Sequence, residues 1–82
     1  MKIYKFFSPT CGPCKVLEMS FKKIGVEYKN IDATLDENES ILNKFNVTTV
    51  PVVIKTDDND IELKRFHGVK TIQQLKDWIN ED

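Results

Sequence analysis

The protein is a chain of 82 residues with 40% apolar side chains, 12 lysines and arginines, 13 aspartates and glutamates, and a net charge of −1. This length accommodates one small domain, which we expect to span residues 1–82. Because charges of both signs are interleaved and no apolar run approaches about 18 residues, we expect no nucleic-acid partner and no membrane segment.

The first residues, Met-Lys-Ile-Tyr-Lys-Phe-Phe, are too short and too charged to form a secretory signal peptide. We therefore expect a cytoplasmic protein. Thiols stay reduced in that compartment, and cysteine pairs there are catalytic rather than structural. We also expect the chain to act as a monomer.

The first predicted elements are a strand and a helix. Lys2–Phe7 is rich in residues that favour strands. Over residues 13–24 apolar side chains recur at helical spacing, and Gly25 follows as a stop signal. The only two cysteines, Cys11 and Cys14, lie between the strand and the helix.

A pair of cysteines separated by two residues at a strand-to-helix junction indicates a redox-active dithiol. This spacing allows the first helical turn to bring both sulfurs within bonding distance. The same turn has unpaired N–H groups and the positive end of the helix dipole, which favour a thiolate. Pro13 suits the turn because its missing N–H would have no partner there. We expect Gly12 to allow a tight turn and to leave Cys11 uncovered for an incoming disulfide.

A structural disulfide and a zinc site are two other uses of such a pair. A disulfide that closes four residues removes only about 2 kcal/mol of unfolded-state entropy, so it stabilises little. Structural zinc takes four ligands, and the chain offers two thiols and one distant histidine, His67. We therefore assign Cys11 and Cys14 as catalytic, and expect no metal and no cofactor beyond their own disulfide.

Three further strands are predicted at residues 26–31, 52–54 and 61–66. The acidic segment 57–60 forms the turn of a hairpin between the last two strands. It lacks a glutamate at the spacing of a calcium-binding loop, so we interpret it as a solvated turn.

Two further helices are predicted. Two alternative capping pairs would begin the first of them, Thr34 with Glu37 or Asp36 with Glu39. Its apolar residues are Ile41, Leu42 and Phe45. The last helix would begin at a capping box formed by Thr71 and Gln74, and we expect its Trp78 in the core.

The predicted order βαβαββα belongs to the α/β class. The initial βαβ unit implies parallel pairing with a right-handed crossover, and the hairpin adds antiparallel strands to the same sheet. We expect a central mixed four-stranded sheet flanked by three helices. The cysteine pair would lie at the carboxyl end of the first strand, where open α/β sheets place their sites.

Three features resemble the thioredoxin superfamily, and the resemblance covers nearly the whole chain. The sequence Cys11-Gly12-Pro13-Cys14-Lys15 is the signature most typical of thioredoxins. Thr49-Val50-Pro51 resembles the family's cis-proline loop, which faces the dithiol, and Gly68 matches a family glycine after the final strand. The resemblance implies the thioredoxin fold, a cis Val50–Pro51 bond and substrate binding at Val50, Pro51 and Gly68.

The chain also departs from thioredoxins. The active-site loop contains Thr10, Gly12 and Pro13, and Thr10 stands where thioredoxins usually have tryptophan. The chain starts directly at the strand before the dithiol, as in the compact architecture of glutaredoxins. Residues 66–71 lack the second glycine and the acidic residue with which glutaredoxins hold glutathione. We therefore do not expect glutathione as a specific ligand.

Lys5 stands where thioredoxins have a buried aspartate, and two interpretations of it are open. In one, a buried ammonium favours the thiolate electrostatically, and water or a partly desolvated, neutral Lys5 handles the proton of the resolving cysteine. In the other, the flexible stem carries the charge to solvent and leaves the sulfurs unaffected. We expect His67 at the rim of the site, and Lys15, Lys22 and Lys23 on a solvated helix face.

The resemblance implies a thiol-disulfide oxidoreductase that reduces protein disulfides, with roles in electron transport and cell redox homeostasis. Cys11 would attack the substrate disulfide, and Cys14 would resolve the mixed disulfide. The expected partners are disulfide-containing proteins and thioredoxin reductase. The alternatives are a dedicated, glutaredoxin-like electron donor to ribonucleotide reductase and a thioredoxin-fold subunit that only binds a partner.

Overall fold

The computed structural model describes residues 1–81, so Asp82 of the predicted domain lies outside the described residues. The strands are β1 (Lys2–Phe7), β2 (Lys29–Asp32), β3 (Val52–Thr56) and β4 (Glu62–His67). The helices are α1 (Gly12–Ile24), α2 (Glu39–Lys44) and α3 (Ile72–Asn80), and a short 3₁₀ turn (Asp36–Asn38) precedes α2. The predicted order βαβαββα is confirmed. Within residues 1–81, the helices are too short or too polar to cross a bilayer.

The four strands form one mixed sheet in the order β2-β1-β3-β4. β1 runs parallel to β2 and antiparallel to β3, where Phe6 lies opposite Val52. β4 is antiparallel to β3, and His67 also lies opposite Val52. The end of β1, the start of β3 and the end of β4 therefore meet at one end of the sheet, which we call the upper end.

Helices cover both faces of the sheet, as predicted. On one face, α1 and α3 bury a cluster that contains Ile3, Leu17, Phe21, Val53, Phe66, Leu75 and Trp78. The other face buries Tyr4, Phe6, Phe45, Val52 and Ile54, and partly buried residues of α2 pack against them. Because side chains alternate along a strand, Lys5 shares the α1 face with Ile3.

The predicted end of α1 and the predicted start of α3 are confirmed. Gly25 ends α1 with a φ of 67° and donates its N–H to the Phe21 carbonyl at 3.2 Å. Thr71 and Gln74 form both halves of the capping box at the start of α3. Both ends are therefore set by local sequence.

The predicted start of α2 is wrong. Neither expected capping pair forms, and α2 begins after Asn38 without a side-chain cap. Thr34 instead donates its hydroxyl to the Asp32 carboxylate at 2.6 Å in the turn that follows β2. Phe45 lies just beyond the helix as its C-cap residue.

The strand boundaries also differ from those predicted. β2 begins at Lys29 rather than at residue 26, because its pairing with β1 starts opposite Tyr4. Val26 and Tyr28 instead pack against the core cluster under α1. β3 extends two residues past the prediction and β4 is shifted by one, since those residues continue the β3–β4 ladder.

Two lysines bind the carboxyl end of α3. Lys55, which is 5% exposed, donates from Nζ to the carbonyls of Ile79 at 2.7 Å and Glu81 at 3.1 Å. Lys64 donates to the carbonyls of Trp78 and Glu81. These ammonium groups satisfy free carbonyls and complement the negative end of the helix dipole. A shallow cavity of about 320 Å³ is lined nearby by Met1, Lys55, Leu63, Lys64 and Glu81.

A buried tyrosine joins β1 to the hairpin turn. The Tyr4 hydroxyl donates to Asp60 Oδ1 at 2.7 Å, and Lys2 Nζ lies 3.2 Å from the same oxygen. Burial, together with the Asp60 carboxylate, raises the pKa of Tyr4 to about 12. The unfolded chain would lose this proton near pH 10.

We expect this tyrosine to make the protein sensitive to alkali. The folded state keeps a proton that the unfolded state loses, so the stability is intact below pH 10 and falls as the pH rises towards 12. Between about pH 9 and about pH 11.5 the wild type should lose about 2 kcal/mol relative to Tyr4→Phe. Urea unfolding across this range measures the difference. Parallel losses in both proteins would show that Tyr4 is not responsible.

Candidate active site

Cys11 and Cys14 form a disulfide at the start of α1, with Cα atoms 5.2 Å apart. Cys11 is the N-cap residue, and its Sγ accepts the N–H of Cys14 at 3.1 Å. Its own N–H donates to the Ser8 carbonyl at 3.2 Å. A thiolate at this sulfur would accept a helical N–H and lie at the positive end of the helix dipole.

The two sulfur-bearing residues differ in exposure. Cys11 is half-buried at the surface, whereas Cys14 is only 3% exposed. An incoming protein disulfide therefore has access to Cys11, while Cys14 is placed to react with Cys11 from inside. The N-cap position and the exposure both favour Cys11 as the attacking sulfur.

The residues around the pair form an exposed loop. Thr10, Gly12 and Pro13 are exposed, and Pro13 occupies the first turn of α1 as expected. Gly12 does not have a positive φ, so its backbone conformation is open to other residues, and its role in the turn stays a prediction. A Cβ at that position would meet no atom within 4 Å, so the space beside Cys11 is open.

The segment before β3 lies at the same upper end of the sheet. The Val50–Pro51 bond is cis, as the resemblance implied, and the Pro51 carbonyl accepts the N–H of Gly68 at 3.0 Å. Gly68 has a φ of 83°, a conformation that strongly favours glycine. His67 is exposed beside it at the end of β4, which is the expected rim position. The fold thus brings Val50, Pro51 and Gly68 to the end of the sheet that carries the disulfide.

Lys5 does not extend its charge out to solvent, so that part of the second interpretation is wrong, while its effect on the sulfurs stays a prediction. Its side chain is 1% exposed, and Nζ lies 5.0 Å from the ring centre of Phe7 and 5.7 Å from that of Tyr28. Burial lowers the pKa of Lys5, the nearby Glu18 carboxylate opposes this shift, and Lys22 adds to it. Lysines 15, 22 and 23 are exposed on α1, as expected.

Lys5 and Cys14 line one small cleft of about 100 Å³ beneath the first turns of α1. Its other lining residues are Phe7, Ser8, Pro9, Lys15 and Glu18. Glu18 was not among the predicted site residues, although it follows Cys14 by four residues and so shares its helix face. Residues 1–81 contain no cluster of histidine, cysteine and carboxylate side chains suited to a metal ion.

A half-buried N-cap cysteine joined to a buried cysteine one turn later, on a mixed sheet of this topology, defines a thiol-disulfide oxidoreductase domain. The chain belongs to the thioredoxin family, since residues 1–81 match the family described as Thioredoxin.

Curated relatives include thioredoxins and protein disulfide isomerases. Thioredoxin of Bacillus subtilis is 29% identical over 80 residues, which are 93% of this chain and 76% of that protein. The SPbeta prophage-derived thioredoxin-like protein YosR of Bacillus subtilis is 29% identical over 81 residues, which are 99% and 98% of the two chains. Protein disulfide isomerase-like 2-1 of Oryza sativa is 27% identical over 98% of this chain, which spans only 24% of that protein.

Solved structures show the same relationship. Thioredoxin 1 of Thermosipho africanus is 29% identical, with a TM-score of 0.68 over 96% of this chain and 94% of that chain. Thioredoxin of Trypanosoma brucei brucei is 28% identical, with a TM-score of 0.74 over 98% of this chain and 75% of that chain.

Proposed function

We propose that the chain is a general protein-disulfide reductase of thioredoxin type that acts as a monomer in the cytoplasm. The observation that carries this proposal is the pairing of an accessible N-cap Cys11 with a buried Cys14. The Cys11 thiolate attacks one sulfur of a substrate disulfide, and the other substrate sulfur leaves as a thiolate. Cys14 then attacks Cys11, so the protein disulfide forms and the second substrate sulfur leaves reduced.

The substrate segment would bind along the backbone of Val50. This residue precedes β3 at the upper end of the sheet and is half-buried. A protein segment in extended conformation can add to such a backbone as a strand does, which suits a reductase with many protein substrates. Pro51 and Gly68 would form the adjacent wall of the groove.

Reduction of insulin disulfides, with dithiothreitol as the electron source, tests the activity itself. A reductase should accelerate insulin precipitation well above the rate with dithiothreitol alone. A domain that only binds a partner would leave that rate unchanged, and so would contradict the proposal.

The electron donor is a separate prediction. A Gly-Pro dithiol should be poised near the ~−270 mV of thioredoxins rather than the ~−200 to −230 mV of glutaredoxins. This gap corresponds to about 2–3 kcal/mol for two electrons, which makes glutathione a poor reductant. We expect fast recycling by NADPH with thioredoxin reductase and slow recycling by glutathione, both followed as NADPH consumption in the insulin assay. Fast turnover with glutathione and glutathione reductase alone would place the protein with glutaredoxins instead.

A further inference from the structure

A lysine, Lys5, is among the largest fully buried side chains within residues 1–81. Burial of an ammonium group is costly unless a charge or hydrogen-bond partner compensates it. Among the described residues, no hydrogen bond or ion pair of Lys5 Nζ is found, and its nearest recorded contacts are the aromatic rings of Phe7 and Tyr28. Lys5 therefore has no close counterion while the cysteines form a disulfide, which favours its neutral amine. No side-chain nitrogen or oxygen of the described residues is both fully buried and without a hydrogen-bond partner, so Nζ keeps a narrow contact with solvent at the cleft that Lys5 lines.

The groups that face Lys5 come from three elements. From α1, Cys14, Lys15 and Glu18 line its cleft, and Lys22 repels it from one turn further along. The segment before β2 contributes the Tyr28 ring, and β1 contributes the Phe7 ring. Glu18 attracts the ammonium but forms no ion pair with it. Reduction of the disulfide adds a further group to this cleft that can become an anion, the thiol of Cys14.

We propose that Lys5 accepts the Cys14 proton during the resolving step, so that the charge of Lys5 is linked to the redox state of the dithiol. Both groups lie on the inner side of α1 and share a cleft of about 100 Å³. That space holds few water molecules, so the proton passes directly or through an ordered water. The inference rests on the dithiol chemistry of the proposed function but not on the identity of the reductase.

The step balances in atoms and charge. In the mixed disulfide, Cys14 gives its proton to the Lys5 amine, which becomes an ammonium beside the Cys14 thiolate. This thiolate attacks Cys11 Sγ, so the Cys11–Cys14 bond forms, the bond from Cys11 to the substrate breaks, and the substrate leaves as a thiolate. The Cys14 negative charge is then lost, and Lys5 releases its proton to solvent.

The linkage predicts which redox state Lys5 stabilises. The reduced protein and the mixed disulfide can hold an ammonium of Lys5 beside a Cys14 thiolate, whereas the oxidised protein offers Lys5 no thiolate partner. Because coupling between two sites is reciprocal, Lys5 favours reduction of the dithiol. Replacing Lys5 with methionine should therefore make the dithiol more reducing. The same replacement should stabilise the oxidised protein more than the reduced protein.

The test uses the full chain equilibrated with glutathione buffers at pH 7, without any reductase. In Lys5→Met the equilibrium constant should shift towards the protein disulfide by roughly tenfold or more, about 30 mV in potential. Lys15→Met removes an exposed ammonium from the rim of the same cleft and is the matched control. It should change the constant by less than about threefold, because solvent screens that charge.

A kinetic arm isolates the resolving step. The reduced protein reacts with 5,5′-dithiobis(2-nitrobenzoate), and the release of thionitrobenzoate has one phase for Cys11 attack and one for Cys14 attack. Lys5→Met should slow the second phase at neutral pH. The difference from wild type should vanish at strongly alkaline pH, where Cys14 is ionised without help.

Equal equilibrium constants for wild type and Lys5→Met would overturn the proposal. So would equal stabilisation of both redox states by Lys5→Met, because that result shows a purely structural role. If Lys5→Met fails to fold, a ¹⁵N NMR titration of Lys5 Nζ in the oxidised and the reduced wild type tests the linkage instead. We expect the pKa of Lys5 to be higher in the reduced protein, and equal values would overturn the linkage. Failure of the insulin assay would contradict the proposed function. The redox equilibrium and the pKa of Lys5 could still be measured, so the two proposals are tested separately.

Discussion

Replacing Cys11 with serine is expected to abolish disulfide reduction, a loss of roughly 1000-fold or more. Cys11 is half-buried at the surface, and its Sγ caps α1 by accepting the Cys14 N–H at 3.1 Å, so a thiolate formed there on reduction would be reachable and would accept a helical N–H. Cys14 is only 3% exposed and cannot replace it as the attacking group on a protein disulfide. The insulin assay with dithiothreitol measures the loss.

The complementary variant, Cys14→Ser, should accumulate a stable mixed disulfide through Cys11, because no second thiol remains to release the substrate. Non-reducing electrophoresis and mass spectrometry after reaction with insulin identify the trapped sulfur. Trapping through Cys14 in the Cys11→Ser protein, with none in the reverse variant, would reverse the assignment of attacking and resolving cysteines.

The largest expected effect on stability comes from Phe21→Ala. Phe21 is fully buried on α1 within the core cluster, and its ring centre lies 4.5 Å from that of Tyr28. Truncation of a buried phenylalanine costs about 3–5 kcal/mol, a large part of the 5–15 kcal/mol that stabilises a typical domain. The midpoint of thermal unfolding should fall by at least about 12 °C.

Met19→Ala is the matched control for this prediction. Met19 lies on the same helix two residues earlier and is 62% exposed, so its truncation should change the stability by less than about 0.5 kcal/mol. Circular dichroism of the oxidised proteins measures both midpoints. Similar midpoints for the two variants would show that the inner face of α1 contributes little to the core.

The order of helices and strands was predictable because the spacing of apolar residues indicates which face of each element is buried. Gly25 and the Thr71–Gln74 capping box were readable in the sequence, since each acts within a few residues of the helix end that it defines. The start of β2 was not readable in this way, because pairing with β1 sets it. The start of α2 was missed because Asp32, at the end of β2, engages Thr34.

In the site, too, features set by local sequence could be predicted, and features set by tertiary packing could not. Cys11 and Cys14 were identified from their spacing, whereas the geometry of Val50–Pro51 came from family resemblance and from no local signal. Alternation along β1 assigns Lys5 to the α1 face but does not tell whether the helix closes over it. The contribution of Glu18 to the same cleft depends on the inward face of α1, which only tertiary packing defines.

The shallow cavity bordered by both Met1 and Glu81 has a consequence for modular architecture. It lies beside the start of β1, at the far end of the sheet from Cys11, so polypeptide joined to either residue would extend away from the reactive sulfur. Neighbouring termini tolerate domain insertion and circular permutation. We therefore expect polypeptide attached at Met1 or beyond Glu81 to leave the disulfide accessible.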